Sequence, residues 1–269
     1  MILRRVIDHF RKQEWTAIAI DFLIVVMGVF VGLQVNNWNE AAKERRAETS
    51  YLSQLRKDLG LIGVEARAQI GFEQYQARLA GKTFDLIAQD VSPQRVQRIN
   101  IGLSQLTMRR TLRIESPTFV DLQNSGKIDV VVDDALRTEL VSYFFNMRRL
   151  EAAIDRNNMY YVDAGYLARI LDMGVPSRRW SENLMAMPRA PSVPDEPEFF
   201  ASVYAGPLFK APSPVLGAPA GSAIWSELDA LLSWRAMVAG TNESMAQRIL
   251  IATAALDAKI ANRLEGKSP

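Results

Sequence analysis

Apolar residues run almost unbroken from Trp15 to Val35, WTAIAIDFLIVVMGVFVGLQV, and no other stretch of the 269-residue chain matches that density. At about 1.5 Å per helical residue this run spans roughly 30 Å, the thickness of a bilayer's hydrocarbon core. Elsewhere the apolar positions recur at spacings of three and four, the period of a helix face, and no stretch alternates as a half-buried strand does. The pattern predicts an all-α chain: an N-terminal transmembrane helix, then a bundle of long helices with one proline-rich irregular crossover. Five segments follow: a tail over 1–14, the membrane helix over 15–35, the first part of the bundle over 36–175, the crossover over 176–221 and a C-terminal helix over 222–269.

Past the membrane run, Leu52, Leu55, Leu59, Ile62 and Ala66 form a helical seam. The apolar pattern then slips and resumes at Phe72, Tyr75 and Leu79. This predicts one helix from about Ala41 to Ala88, continuous with the membrane helix and kinked or broken near Gly60 to Gly63. Ser92-Pro93 reads as a cap followed by proline in the first turn, with Val96, Ile99, Leu103 and Leu106 marking a second helix. Ser116-Pro117 repeats the signal for a short helix that stops at Gly126. Lys127 to Val132 is a brief connector. Asp133 or Asp134 caps the most regular stretch, in which Leu140, Tyr143, Met147, Leu150, Ile154, Asn157, Tyr161, Ala164, Ala168 and Leu171 keep a 3-4 alternation until Gly174 and Pro176. Nine of the twelve prolines fall between Pro176 and Pro219, which excludes a long helix there. Phe199-Phe200 and Val203-Tyr204 are apolar enough to dock on the helices. From Ser222 the pattern is helical again through Ile224, Leu228, Leu231, Val238, Met245, Ile249, Ala252 and Leu256, with a bend or break at Gly240-Thr241-Asn242.

Trp15 and Trp38 flank the membrane run, as aromatic residues do at membrane interfaces. A cleaved signal peptide would need a shorter apolar core and a small-x-small cleavage site, which Val35-Asn36-Asn37-Trp38 does not offer. Arg4, Arg5, Arg11 and Lys12 outnumber Lys43, Arg45 and Arg46 across the run, a slight bias toward a cytoplasmic N-terminus in a bacterial inner membrane, with the bulk of the chain periplasmic. Gly28 and Gly32 form a GxxxG face that lets two membrane helices approach closely, against a bland reading of chance glycines in a lone helix. Asp21 inside the run faces either a partner helix or the headgroups. Asn157 interrupts an apolar seam, where a polar residue sets register or meets water or a loop backbone.

Charge and composition narrow the function further. With 32 basic and 30 acidic residues the net charge is +2, so no extended field suits nucleic acid. The pairs Arg109-Arg110, Arg148-Arg149 and Arg178-Arg179 read as solvated faces. There is no cysteine, and His9, ahead of the membrane run, is the single histidine. The large domain therefore holds no His/Cys metal site and no histidine triad. No P-loop, dinucleotide fingerprint or nucleophile elbow occurs. Asn124-Ser125-Gly126 reads as a helix stop, Asp133-Asp134 as a cap, and Tyr143 and Tyr161 as core aromatics. No cofactor is expected.

Two stretches resemble the DUF6090-like family of bacterial single-pass membrane proteins. The first, Ile18 to Glu40, carries Gly28, Gln34, Asn36, Asn37, Trp38, Asn39 and Glu40. The second, Ser116 to Phe145, carries Phe119, Leu122, Ser125, Gly126, Leu136, Arg137, Tyr143 and Phe144, and Tyr51 to Leu59 is also similar. Asp21 stands where relatives often have glutamate, Phe144-Phe145 replaces paired tyrosines, and the crossover has no counterpart. The resemblance covers about the first 60% of the chain. It implies a membrane-anchored helical protein and supplies no activity, substrate or catalytic residue. The sequence thus predicts a non-enzymatic accessory or scaffold subunit of an envelope complex, with a lipid bilayer, other envelope proteins and a second copy of the chain as partners. A ligand-binding membrane sensor is the alternative. An enzyme with a carboxylate site beneath the crossover is the remaining class.

Overall fold

The computed structural model describes residues 15–89, 93–175 and 213–266. Among them there are helices and turns and no strand, so the chain is all-α. The expected tail over 1–14, Ser92 and the greater part of the crossover, with Phe199-Phe200 and Val203-Tyr204, lie outside the described residues. The chain divides into two compact units, Met1–Leu52 and Ser53–Pro269. The elements are α1 (Trp15–Gln89), α2 (Arg95–Gln105), α3 (Pro117–Asn124), a 3-10 turn (Ile128–Val130), α4 (Asp134–Asn157), a π-helical segment (Asn158–Leu167), α5 (Ala168–Asp172), a second 3-10 turn (Pro214–Gly217) and α6 (Ala223–Leu264).

In the first unit, α1 includes a stretch long and apolar enough to cross a membrane. Its large side chains are uncovered, with Phe22 70% and Leu23 62% exposed. Trp38 is exposed, and Asn36 donates to Glu40 at 3.0 Å one turn on. A Cβ on Gly28 or Gly32 would meet nothing within 4 Å. The side chains of Trp15 and Asp21 lie outside the described set.

In the second unit, three long segments pack side by side. Arg56 pairs with Asp257 at 2.8 Å, and Gln74 donates to Glu243 at 2.8 Å, so α1 and α6 run antiparallel. Lys259 pairs with Glu139 at 2.7 Å, Tyr143 meets Thr253 at 2.8 Å, and Arg169 pairs with Glu227, so α6 also runs antiparallel to the α4–α5 segment.

The seams differ from the apolar pattern in the sequence. On α1, Leu55, Leu59, Ile62, Ala66, Gln69, Glu73, Gln76, Ala80 and Thr83 are all buried, at strictly alternating spacings of four and three. The seam never slips; it changes from apolar to polar. Phe72 and Tyr75, where the apolar pattern resumes, are half-buried flanking residues. On α6, Leu228, Leu232, Arg235, Ala239, Asn242, Ala246, Ile249, Thr253, Leu256 and Ile260 keep the same strict rhythm. Two helices with a 3.5-residue seam interlock side chain into socket. Both helices continue past the expected weak points: α1 is unbroken at Gly60 and Gly63, and α6 at Gly240.

The segment after α4 departs differently. Its buried positions are Ile154, Asn158, Val162, Tyr166 and Ile170, each four residues on. In an α-helix, steps of four drift about 40° each around the axis. The π-helical stretch Asn158–Leu167 winds more slowly, with i→i+5 bonding, and keeps those positions on one face. The expected alternation through Asn157, Tyr161, Ala164, Ala168 and Leu171 therefore fails after Ile154. Tyr161 is 43% exposed, edge-on to Trp234, and Tyr166 is the fully buried tyrosine.

Local signals set several boundaries. The Ser116 hydroxyl accepts from the Phe119 amide at 3.1 Å, Pro117 occupies the first turn, and Gly126 ends α3 with φ +68°. Asp133 caps α4 by accepting from the amides of Ala135 and Leu136. Gly174 ends α5 with φ +77°. The second helix starts at Arg95, with Gln94 at its cap making no side-chain bond, rather than at Pro93. Arg95 instead reaches back to the carbonyls of Leu86 and Ile87, near the end of α1, at 3.1 and 2.7 Å.

The α1–α2 crossing depends on Gly102. A Cβ there would lie 2.2 Å from Thr83 Oγ1, and that hydroxyl is held by the Leu79 carbonyl at 2.8 Å. Gly102→Ala is expected to destabilise the full-length protein by about 1–3 kcal/mol through overpacking, and adding Thr83→Ala should recover most of that loss. Gly240→Ala, with nothing within 4 Å, should instead stabilise α6 by up to about 1 kcal/mol. Thermal unfolding in detergent compares the three, and equal effects at Gly102 and Gly240 would contradict this packing.

Candidate functional site

The polar stretches of the two heptad seams meet at one level. Glu73 on α1 and Arg235 on α6 are each 1% exposed, and Glu73 Oε2 stands 3.8 Å from Arg235 Nη1. Gln69 Nε2 donates to Glu73 Oε1 at 2.8 Å, and Asn242 Nδ2 donates to the same oxygen at 3.2 Å. Asn242 also donates to Asn158 Oδ1 at 3.3 Å and accepts from Asn157 Nδ2 at 2.8 Å. Asn158 in turn donates to the Arg110 carbonyl at 2.9 Å. Asn157, singled out in the sequence as the polar seam residue, is half-buried, and its neighbour Asn158 holds the buried position.

Arg235 joins this cluster to the end of α2. Its Nε donates to the Leu106 carbonyl at 2.9 Å and its Nη2 to the Met108 carbonyl at 3.2 Å. Tyr166 from the π-helical segment donates its hydroxyl to the Leu103 carbonyl at 3.0 Å. Past Met108 an extended connector is held by arginines. Arg109 pairs with Asp163 at 2.9 Å, Arg110 with Glu65 at 3.0 Å, and Arg113 with Glu151 and Asp155 at 3.2 and 2.7 Å. Arg109 and Arg110, expected as a solvated face, therefore form ion pairs that fasten the connector to the π-helical segment and to α1.

Burial dominates the electrostatics. Removal from water pushes the Glu73 carboxyl up to about 7, against the opposing pull of Arg235 and of its hydrogen-bond donors Asn242 and Gln69. The same desolvation lowers Arg235, with Glu73 and Tyr166 acting the other way. Burial raises Tyr143 to about 12 and raises Tyr166 further. The hydrogen bonding is incomplete. Glu73 Oε2, Gln69 Oε1, both amide atoms of Gln76 and Arg235 Nη1 are buried polar atoms without a hydrogen-bond partner.

A second feature is a groove of about 900 Å³ between the end of α1 and α2. Arg78, Lys82 and Arg98 line it, together with Asp85 and an apolar floor at Leu79 and Ile101. Among the described residues that line it, Asp85 is the one carboxylate. Beside α2, Asn100 Oδ1 accepts from the Ser213 amide at 3.1 Å and Ser213 Oγ donates to the Gly174 carbonyl at 2.7 Å, so residues 174 and 213 meet there. Among the described residues no three His, Cys, Asp or Glu side chains cluster as metal ligands.

No family model, curated protein or solved structure matches the chain. Several residues of the stretch from Ser116 to Phe145 have structural duties. Phe119 stacks on Phe144 at 4.1 Å, Leu122 is fully buried, Gly126 takes the left-handed turn, and Arg137 donates to the Val131 carbonyl at 3.1 Å.

The pair is asymmetric, because a carboxylate that loses its partner can take up a proton and a guanidinium cannot give one up. Glu73→Leu strands a buried cation and is expected to cost about 3–5 kcal/mol. Arg235→Met should cost less, and the double substitution should be more stable than Glu73→Leu alone. A double-mutant cycle by chemical denaturation measures this, and additive effects would mean that the two residues are not coupled.

Proposed function

We propose that this chain is a single-pass bacterial inner-membrane protein whose helical domain faces the periplasm and acts as a non-enzymatic accessory or scaffold subunit of an envelope complex. The carrying observation is the uncovered apolar stretch of α1 between Ile20 and Val35. An exposed apolar surface of this extent marks a membrane or partner contact. Trp38 and the Asn36–Glu40 pair at its polar exit suit a headgroup boundary. The resemblance of Ile18 to Glu40 to the DUF6090-like proteins implies the same assignment. The remainder is read as a bundle of long helices completed by the proline-rich crossover, with Trp15 at the first membrane interface.

A homodimer through the membrane helix belongs to this proposal. Gly28 and Gly32 lie one turn apart on a surface with nothing near it, which suits close approach of a second helix, and Asp21 lies further along the same helix. The expected result is stoichiometric co-purification with a larger complex in mild detergent at native expression. Recovery of the chain as a lone species would count against the scaffold role. Gly28→Leu with Gly32→Leu should abolish cross-linked dimer in intact membranes without preventing insertion. Undiminished cross-linking would show that these glycines do not form the contact.

A further inference from the structure

The Glu73–Arg235 pair joins three elements through one charged side chain. Arg235 holds the carbonyls of Leu106 and Met108, which close α2 and start the connector, and its third direction faces Glu73 at 3.8 Å. The partners of Glu73 Oε1, Gln69 and Asn242, are amides that bond a neutral carboxyl as well as a charged one. Glu73 Oε2 and Arg235 Nη1, both buried, make no hydrogen bond. The carboxylate therefore has a neutral alternative within its own environment, and the guanidinium has none.

We propose that the Glu73 carboxyl is a proton-binding site and that its protonation releases Arg235 from the connector, so that the α1–α6 seam loosens locally at this level. The proton adds to Glu73 Oε2 and no other bond changes. A neutral Glu73 leaves Arg235 as a buried cation facing only backbone carbonyls, a situation that strongly favours its withdrawal. In the withdrawn conformer the carboxyl has lost its neighbouring cation and holds the proton more tightly. Acid therefore shifts the population toward that conformer. Each pKa unit of difference in proton affinity between the two conformers changes their ratio about tenfold.

The surroundings of the carboxyl agree. From α6 it faces Arg235, Asn242 and the charge of Glu243, which is tied to Gln74. From its own helix it faces Gln69. The π-helical segment acts through Tyr166 on Arg235 and through Asn158 on Asn242. The charged groups of the connector, Arg109 and Arg110, are engaged by Asp163 and Glu65. Burial places the titration of Glu73 at about 7, above its usual 4.5. A carboxyl raised in the folded state stabilises the fold relative to the unfolded chain below its ordinary value, and loses that contribution as pH rises through the folded value. Acidification from about 8 to about 5 should thus open this site while Glu73 itself does not lower global stability, unlike acid denaturation.

The test uses the full chain in lipid nanodiscs. Difference infrared spectroscopy should show a carboxylic acid C=O band appearing near neutrality, absent in Glu73→Gln. Arg235→Met should move that band's transition to higher pH. Hydrogen exchange, corrected for intrinsic pH dependence, should rise about tenfold for residues 106–110 and 232–242 across the same transition in the wild type. In Glu73→Gln it should be fast throughout. A wild type without the band between about pH 5 and 9, or with unchanged exchange across it, would overturn the proposal. So would a Glu73→Gln protein that keeps the wild-type pH dependence. The infrared titration of the wild type and of Arg235→Met decides the matter even where Glu73→Gln does not fold.

Discussion

The second unit is organised around a buried guanidinium. Arg235 is 1% exposed, and a group with five fixed donors and a permanent charge dictates what surrounds it. Two of its directions are met by the carbonyls of Leu106 and Met108, so α2 must end beside α6 at that turn. Its charge requires Glu73, so α1 must present that position and no other. Such a pair adds little net stability over apolar residues of similar size. Its effect is on register. The remaining positions of both seams are mostly Leu, Ile and Ala at identical spacing, and a slide of one heptad would still bury them. That slide would also leave Arg235 without its counter-charge, and a buried unpaired charge costs several kcal/mol.

The π-helical segment follows from the same layer. Asn158 and Tyr166 must both face inward, the first to Asn242 and the second to the Leu103 carbonyl. They are eight residues apart, and Val162 lies between them on the buried face. An α-helix would rotate Tyr166 about 80° away from Asn158. Slower winding keeps the asparagine, valine and tyrosine in line with Ile154 and Ile170. It also turns Tyr161 outward against Trp234 and brings Asp163 to Arg109.

Much of the framework is legible in the sequence because short-range signals determine it. Ser116, Asp133, Gly126 and Gly174 act through the backbone of adjacent residues, and no distant contact overrides them. The candidate site is less legible. A reading that follows apolar residues passes from Ala66 to Phe72 and Tyr75, because Gln69, Glu73 and Gln76 look like surface positions. On α6 it passes over Arg235, Asn242 and Thr253 for the same reason. The spacing of four and three through those polar residues becomes a seam only through their burial, because counting along a helix reaches some residue at every step. The winding of the π-helical segment is likewise set by partners on other elements. The apolar pattern therefore points to Asn157, one residue from the buried seam position, Asn158.

The distribution of polarity along the seams separates two physical tasks. On one side of the Glu73 level lie Leu79, Ile99, Leu103, Leu106, Tyr166, Leu228 and Leu232 in one buried cluster. On the other side the buried positions are Leu55, Leu59 and Ile62 on α1 and Ile249, Leu256 and Ile260 on α6. Burial of these side chains supplies the driving force for folding, at roughly 1.5–3 kcal/mol for each large residue. In the layer between them, burial raises the Glu73 carboxyl to about 7 and so works against its charged form despite the attraction of Arg235. Apolar layers on both sides hold this buried charge closed. It is there that a small change in charge can alter the local arrangement while the ends of the helices remain packed.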